Sequence, residues 1–323
     1  MPPHRSLITG AAGFLGSHLA ESLLAGGETV IGTAHRDTRN VAHILDRMTL
    51  LPCDLLNRAA TEAAVEEARP QTVYHLAAQS YPLRSWRAPT STFRVNVQGT
   101  LHLLDALRRL APEATVVVAG SSAEYGHVPA DHQPITEDSP FLPASPYGVS
   151  KVAADLLAHL YRRAYGLKTV RVRPFFVIGP RKTGDVCSDF ARGIVAVERG
   201  EQPSLKVGNV EAVRDFLHVA DAVAGCRLLA EKATAGEVYN LCRGSGQRVG
   251  DLLEVLRGLA TRPIPVEPDA ARLRRLDEPS VIGDNSRLRA LGWEPQIPIS
   301  EALASILDYW RKSAAPAGTI SHV

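Results

Sequence analysis

Two rhythms of apolar residues run along this 323-residue chain. Short, nearly unbroken apolar runs occur at Ser6-Leu7-Ile8, Thr29 to Thr33, Leu50 to Leu55, Val73 to Ala78 and Thr115 to Ala119. Such runs predict strands covered on both faces, as in a parallel sheet. Between them apolar residues return at helical spacing, at Leu15, Leu19, Leu23 and Leu24, then over 58–68 and over 90–110. Strand and helix alternate, so the expected fold is α/β with a doubly wound parallel sheet.

Composition narrows the class. Hydrophobic residues make up 45% and charged residues 22%, as in an ordinary soluble globular protein. A net charge of +2 gives no reason to expect nucleic acid or an anionic membrane as partner. No run approaches membrane-span length, and the N-terminal apolar residues are broken by glycines, unlike a signal peptide. Cys53, Cys187, Cys226 and Cys242 lie far apart without metal-ligand spacing. They read as reduced, buried thiols of a cytoplasmic protein with no metal site.

The first run leads into Thr9-Gly10-Ala11-Ala12-Gly13-Phe14-Leu15-Gly16, and an amphipathic helix follows. Strand, glycine-rich turn and helix are the context of a dinucleotide site. Gly10 permits the turn, Gly13 lets backbone approach a pyrophosphate, and Gly16 lets helix pack on strand. A NAD-selective site places an acid at the end of the second strand, yet here the chain reads Ala34-His35-Arg36 before Asp37. Arg36 would pair with a ribose 2′-phosphate, so NADP(H) is expected as the preferred cofactor, with NAD(H) possible. Asp54 is placed to hydrogen-bond adenine, and Leu55 follows it. The small residues of Leu76-Ala77-Ala78 would let a cofactor lie close, and Asn96 sits within the long helix.

The fifth strand ends in Gly120-Ser121-Ser122-Ala123-Glu124-Tyr125-Gly126. Ligands of open parallel sheets bind beyond such carboxyl ends, so Ser121 or Ser122 could polarise a substrate carbonyl. Next comes Ser145-Pro146-Tyr147-Gly148-Val149-Ser150-Lys151. Ser145 suits a helix cap and Pro146 the first helical position, which stacks Tyr147 and Lys151 one turn apart. A phenol titrates near pH 10, and a neighbouring ammonium would lower that value. Tyr147 and Lys151 therefore read as an acid/base pair.

Together these residues resemble the extended short-chain dehydrogenase/reductases that act on nucleotide sugars. The resemblance rests on the glycine turn, Asp54-Leu55, His75-Leu76-Ala77-Ala78, Asn96-Val97-Gln98-Gly99-Thr100, the Ser-rich strand end, the Tyr147/Lys151 spacing, and Arg173-Pro174-Phe175 with Gly179-Pro180. It implies a Rossmann-type nucleotide-binding domain over 1–174 and a smaller substrate lobe over 175–312. A segment at about 210–235 would return to the main sheet, and 313–323 would form a loose tail. It also implies a homodimer built through helices near 90–110 and 147–165.

The second half is most similar to the GDP-mannose branch. Arg214, and Arg275 with Glu278, match positions that in that branch grip the diphosphate and the guanosine ribose. Cys187 and Val207 fall in its substrate-lining segments. The dehydratases of the branch need an extra acid in the Ser-rich turn; Glu124 aligns there with a one-residue gap and Ala123 without one. The short form is similar to the reductases, so the expected activity is NADPH-dependent reduction of a 4-keto nucleotide sugar, with Tyr147 as acid. Dehydration through Glu124, 4-epimerisation and a non-catalytic cofactor-sensing module are the alternatives. Phe176 stands where the family carries an asparagine, and Arg181-Lys182 replace small or polar residues, which implies an altered sugar.

Overall fold

The computed structural model describes residues 3–272 and 278–313. Six strands, β1 (Arg5–Thr9), β2 (Thr29–Ala34), β3 (Thr49–Pro52), β4 (Thr72–His75), β5 (Thr115–Ala119) and β6 (Lys168–Pro174), form the main sheet with one later strand. After them come β7 (Phe176–Ile178), β8 (Leu205–Val207), β9 (Val213–Arg214) and β10 (Phe216–His218). Then β11 (Val238–Leu241) closes the main sheet, whose order is β11-β6-β5-β4-β1-β2-β3, all parallel. The doubly wound Rossmann-type sheet expected from the sequence is present. The strand order reverses between β1 and β4, which opens the ligand crevice of such a sheet at their carboxyl ends.

Both faces of the sheet are buried because side chains alternate along each strand. Ile8, Val30, Val117, Val170 and Val172 lie in one core with Leu19 and Leu23 of α1 (Phe14–Ala25). Leu7, Ile31, Val73, Val116 and Val118 face the opposite layer of helices. That layer holds α2 (Arg58–Ala68), α3 (Pro82–Arg87), α4 (Pro89–Phe93), α5 (Gly99–Leu110) and α6 (Pro146–Tyr165). The inner strands β1, β2, β4 and β5 are covered on both faces, which explains why their runs lack polar alternation.

The helix expected over 90–110 is present, but its hydrogen-bond register widens partway along. Residues Arg94–Gln98 form a π-turn between α4 and α5. Asn96 sits in it with its side chain pulled inward, and such wide turns accommodate one residue out of helical register. The lobe has a separate core. Phe190, Ala191, Ile194 and Val195 of α7 (Val186–Glu198) pack on Leu252, Leu253 and Leu256 and on Leu303, Ile306 and Leu307. The chain leaves this lobe through α8 (Val219–Lys232), which packs on α1, and β11, which pairs with β6. The return to the main sheet therefore runs to Leu241, past the expected end near 235.

Candidate active site

At the sheet's reversal point the glycines are required by contact. Gly10 has a φ of +72°, and a Cβ there would lie 2.8 Å from Ala77 Cα, where β4 exits the sheet. A Cβ at Gly16 would collide with the Gly10 carbonyl. Leu76 and Ala78 flank this crossing, and the Leu76 N–H donates to the Thr9 carbonyl at 3.2 Å. The cap of α1 is Gly13, which has no side chain to accept the N–H groups of Phe14 and Leu15. Four other α-helices are capped by side chains: α2 by Asn57, α6 by Ser145, α7 by Asp185 and α8 by His218. A bare, positively polarised helix start behind a side-chain-free turn suits an anion, so these residues fit a dinucleotide pyrophosphate.

Around this cradle the other expected cofactor contacts differ in availability. Arg36 is exposed beyond β2 and makes no ion pair among the described residues, while Asp37 beside it is bonded by Arg39 at 2.6 Å. Asp54 accepts the Leu56 N–H at 3.0 Å and is half exposed. Leu55 is buried against Gly99. Asn96 does not face a ligand. Its amide donates to the Gln79 carbonyl at 3.1 Å and Ser150 Oγ at 2.9 Å, and accepts the Gln79 N–H at 2.7 Å. It ties the loop after β4 to α6.

The start of α6 forms as its sequence predicts: Pro146 is in the first turn, and Ser145 Oγ accepts the Gly148 N–H at 3.1 Å. Tyr147 is 8% exposed. Its N–H donates to Ser85 Oγ at 3.1 Å. Ser121, rather than Ser122, is the serine whose hydroxyl acts on the phenol. Burial pushes the phenol up to about 12, against the pull of the Ser121 hydroxyl and with the Glu124 charge adding to the rise. The expected lowering by Lys151 is absent here. Lys151 donates to the Ala119 carbonyl; burial lowers its pKa, and Glu124 and Asp155 oppose that.

Glu124 lies behind the site and is fully buried. Its Oε1 accepts the Ser121 N–H at 2.7 Å, closing a reciprocal cap on the turn Ser122–Glu124, and Gly120 leaves room for it. Its Oε2 is 2.9 Å from Arg173 Nε without hydrogen-bond geometry, because that N–H is aimed at Asp155 at 3.2 Å. Burial, and then the Asp155 charge, push Glu124 up to about 8. Arg173 Nη1 donates to Tyr125 Oη at 2.8 Å and to the Glu137 carbonyl at 3.1 Å. Its guanidinium lies over the rings of Tyr125 and Phe141. Tyr125 in turn donates to Asn240 at 2.7 Å, and Arg171 binds Asp155 at 2.8 Å. Sequence reading quoted Arg173 only within a motif and did not weigh Asp155. The available signal was a pair of arginines at alternate positions of β6, interleaved with Val170 and Val172.

On the lobe side, Phe176 is half buried, 5.9 Å from the Phe216 ring, with the Arg214 guanidinium over its face. Arg214 is nearly buried and donates to the Val213 carbonyl at 2.9 Å. A short strand at Ser280–Val281 pairs with β9, so the segment with half-buried Glu278 runs beside Arg214 although 64 positions separate them in the chain. Arg275 lies outside the described residues. Cys187 and Val207 are not open to a ligand: both pack in the lobe core, and burial raises the Cys187 thiol well above its usual value.

A strap of residues 179–185 joins the two sides. The Thr183 hydroxyl is 2.8 Å from Tyr81 Oη, and Arg181 donates to Ser17 Oγ at 3.2 Å and to Glu21 at 2.6 Å. His18 Nε2 is 3.1 Å from the Pro180 carbonyl. Lys182 donates to the Val177 carbonyl with its ammonium over the Phe14 ring.

A seven-stranded parallel sheet, a glycine-cradled helix start and a serine–tyrosine–lysine constellation at the strand ends together define an extended short-chain dehydrogenase/reductase. The chain belongs to the GDP-mannose 4,6 dehydratase family, whose model matches residues 7–306. It is 35% identical over 309 residues to a GDP-6-deoxy-D-mannose reductase of Pseudomonas aeruginosa, covering 95% of this chain and 97% of that one. The solved structure of RMD from Pseudomonas aeruginosa complexed with NADPH superposes with a TM-score of 0.82 at 33% identity, covering 95% and 99% of the two chains. A UDP-glucose 4-epimerase of Thermus thermophilus in complex with NAD gives a TM-score of 0.86 at 30% identity, covering 96% and 99%.

The buried guanidinium generates a stability prediction. Arg173→Met keeps the volume but leaves Glu124 short of its counter-charge and Asp155 with Arg171 alone. Removing one partner of a buried ionic set costs about 3–5 kcal/mol. Urea unfolding should show a loss of that size, and a loss below about 1 kcal/mol would mean that the network does not hold this region together.

Proposed function

We propose that the protein is an NAD(P)-dependent reductase of a 4-keto nucleotide sugar, with GDP-4-keto-6-deoxy-mannose or a related GDP-linked keto sugar as substrate. One observation carries this reading beyond the family. The sole acid of the Ser-rich turn, Glu124, is sealed behind the site by Ser121 and Arg173, so the turn offers hydroxyls to a substrate rather than a carboxyl. Elimination of water needs such a further acid/base; reduction does not. The similarity to a GDP-6-deoxy-D-mannose reductase supports the same choice.

Tyr147 remains protonated throughout the neutral range, because its phenol titrates near 12, and a group acts as a proton donor below its pKa. Ser121 acts on the phenol and would polarise a substrate carbonyl beside it. Lys151, anchored on the Ala119 carbonyl, sets positive charge next to the developing alkoxide. Gly10, Gly13, Phe14 and Leu15 would receive the pyrophosphate, and Asp54 the adenine. NADPH when bound supplies the hydride. Arg36 favours NADP(H), and NAD(H) is accommodated by the same cradle. Arg214 and Glu278, on adjoining strand segments, would hold the nucleotide end, and Phe176 gives the sugar pocket an apolar wall.

Mixing the enzyme with NADPH and GDP-4-keto-6-deoxy-mannose should consume the reduced cofactor in step with substrate. Turnover without net consumption would favour an epimerase or a dehydratase. Tyr147→Phe should lower the rate by about 10²- to 10⁴-fold while NADPH still binds; near-normal rates would remove Tyr147 from this role.

For the cofactor, Arg36→Ala should weaken NADPH about tenfold or more and leave NADH unaltered, since a charge-assisted contact contributes roughly 1.5–3 kcal/mol. A wild type that prefers NADH would contradict the assignment.

The protein also reads as a homodimer. Val149, Leu156 and Leu160 line one outward face of α6, and Leu101 of α5 is likewise exposed. Sedimentation should report twice the chain mass, and Leu156→Glu with Leu160→Glu should give the monomer.

A further inference from the structure

We propose that Asp215 is a positioning residue for the nucleotide end of the substrate, acting through the backbone that carries Arg214 and Glu278. The proposal rests on the nucleotide-sugar reading above for the ligand that this backbone would hold.

Asp215 follows Arg214 directly, where β9 gives way to β10, and it is fully buried. Its backbone is bonded on both sides. Its N–H donates to the Val281 carbonyl at 3.1 Å, and its carbonyl accepts the Phe176 N–H at 3.2 Å. Its carboxylate then takes three further backbone N–H groups: Oδ1 accepts from Arg243 at 2.6 Å, and Oδ2 accepts from Gly244 at 2.9 Å and from Gly283 at 3.3 Å.

These bonds meet where the main sheet hands the chain to the lobe. Arg243 and Gly244 follow β11 and lead to Gln247–Arg248, which pairs with one edge of β9. Gly283 follows Ser280–Val281, which pairs with the other edge. Gln247 and Val281 are the two residues opposite Arg214. The middle strand of this ribbon and both of its flanks are therefore registered by one carboxylate. The side chains assigned to the substrate are attached to the same joint. Arg214 is its neighbour in the chain, Phe176 donates to its carbonyl, and Glu278 lies three residues before Val281. None of its partners belongs to the glycine turn or to the Tyr147 and Lys151 turn.

The chemistry of the joint requires an ionised acid. Burial pushes the carboxyl up to about 6, and the N–H bonds, led by that of Arg243, oppose the rise, so it is charged at neutral pH. A carboxylate offers acceptors on both oxygens. An amide of the same size offers one oxygen and turns donors toward donors.

Titration calorimetry of wild type and Asp215→Asn with GDP and with NADPH tests the role. GDP affinity should fall about tenfold or more, since a buried donor left unmatched carries its full desolvation penalty, while NADPH affinity should hold. The KM for the keto sugar nucleotide should rise more than kcat falls. A carboxylate that only stabilises the fold would weaken both ligands together, and that result would overturn the proposal, as would equal GDP affinity in the two proteins. A wild type that does not bind GDP would overturn the nucleotide-sugar reading itself, and the proposal with it. Hydrogen exchange of the wild type covers the case of a variant that does not fold. GDP should slow exchange at the Arg243, Gly244 and Gly283 amides, and unaltered exchange at all three would overturn the proposal.

Discussion

Everything at this site hangs on one guanidinium taken out of water. Arg173 comes from the central sheet and reaches two carboxylates on different elements: Glu124 after β5 and Asp155 on α6. Burying a guanidinium is costly, so the arrangement holds only when its charge is matched, here by Asp155, and its remaining donors are used. Tyr125 and the Glu137 carbonyl take those donors. The consequence is positional. The turn bearing Ser121 and the helix bearing Tyr147 cannot shift relative to each other without exposing an unpaired charge.

The same cluster sets the electrostatics in front of it. Lys151 is buried, which disfavours its charge, but Glu124 and Asp155 restore part of it. Tyr147 receives no such help in the ligand-free chain and stays a firmly protonated phenol. The acid is therefore kept protonated by burial, with Ser121 pulling the other way. The lysine contributes a charge whose value depends on carboxylates that never touch a ligand.

Much of this was legible because it is local. Apolar runs with both faces covered, the glycine turn and the Ser145-Pro146 helix start are read from neighbouring residues, and the structure agrees with them. The inward acid was not legible. Whether Glu124 or Ala123 meets a substrate depends on the turn's direction, which is set by a guanidinium 49 positions further along the chain. Similarly, Cys187 and Val207 lie within substrate-lining segments by resemblance, but the lobe core claims their side chains. Asn96 was read as a ligand contact because helical spacing does not register a π-turn that swings it toward Ser150.

The strap between Gly179 and Asp185 has a consequence in time. Gly179, Arg181 and Gly184 all have positive φ, so this loop's path uses conformations with few neighbouring alternatives. A reductase parts with its spent dinucleotide once per cycle. Tethers such as Tyr81 to Thr183 and Arg181 to Glu21 fasten this loop beside the α1 cradle. On the proposed reductase reading, turnover would include the untying and retying of a stiff band, and release could run no faster than that band opens.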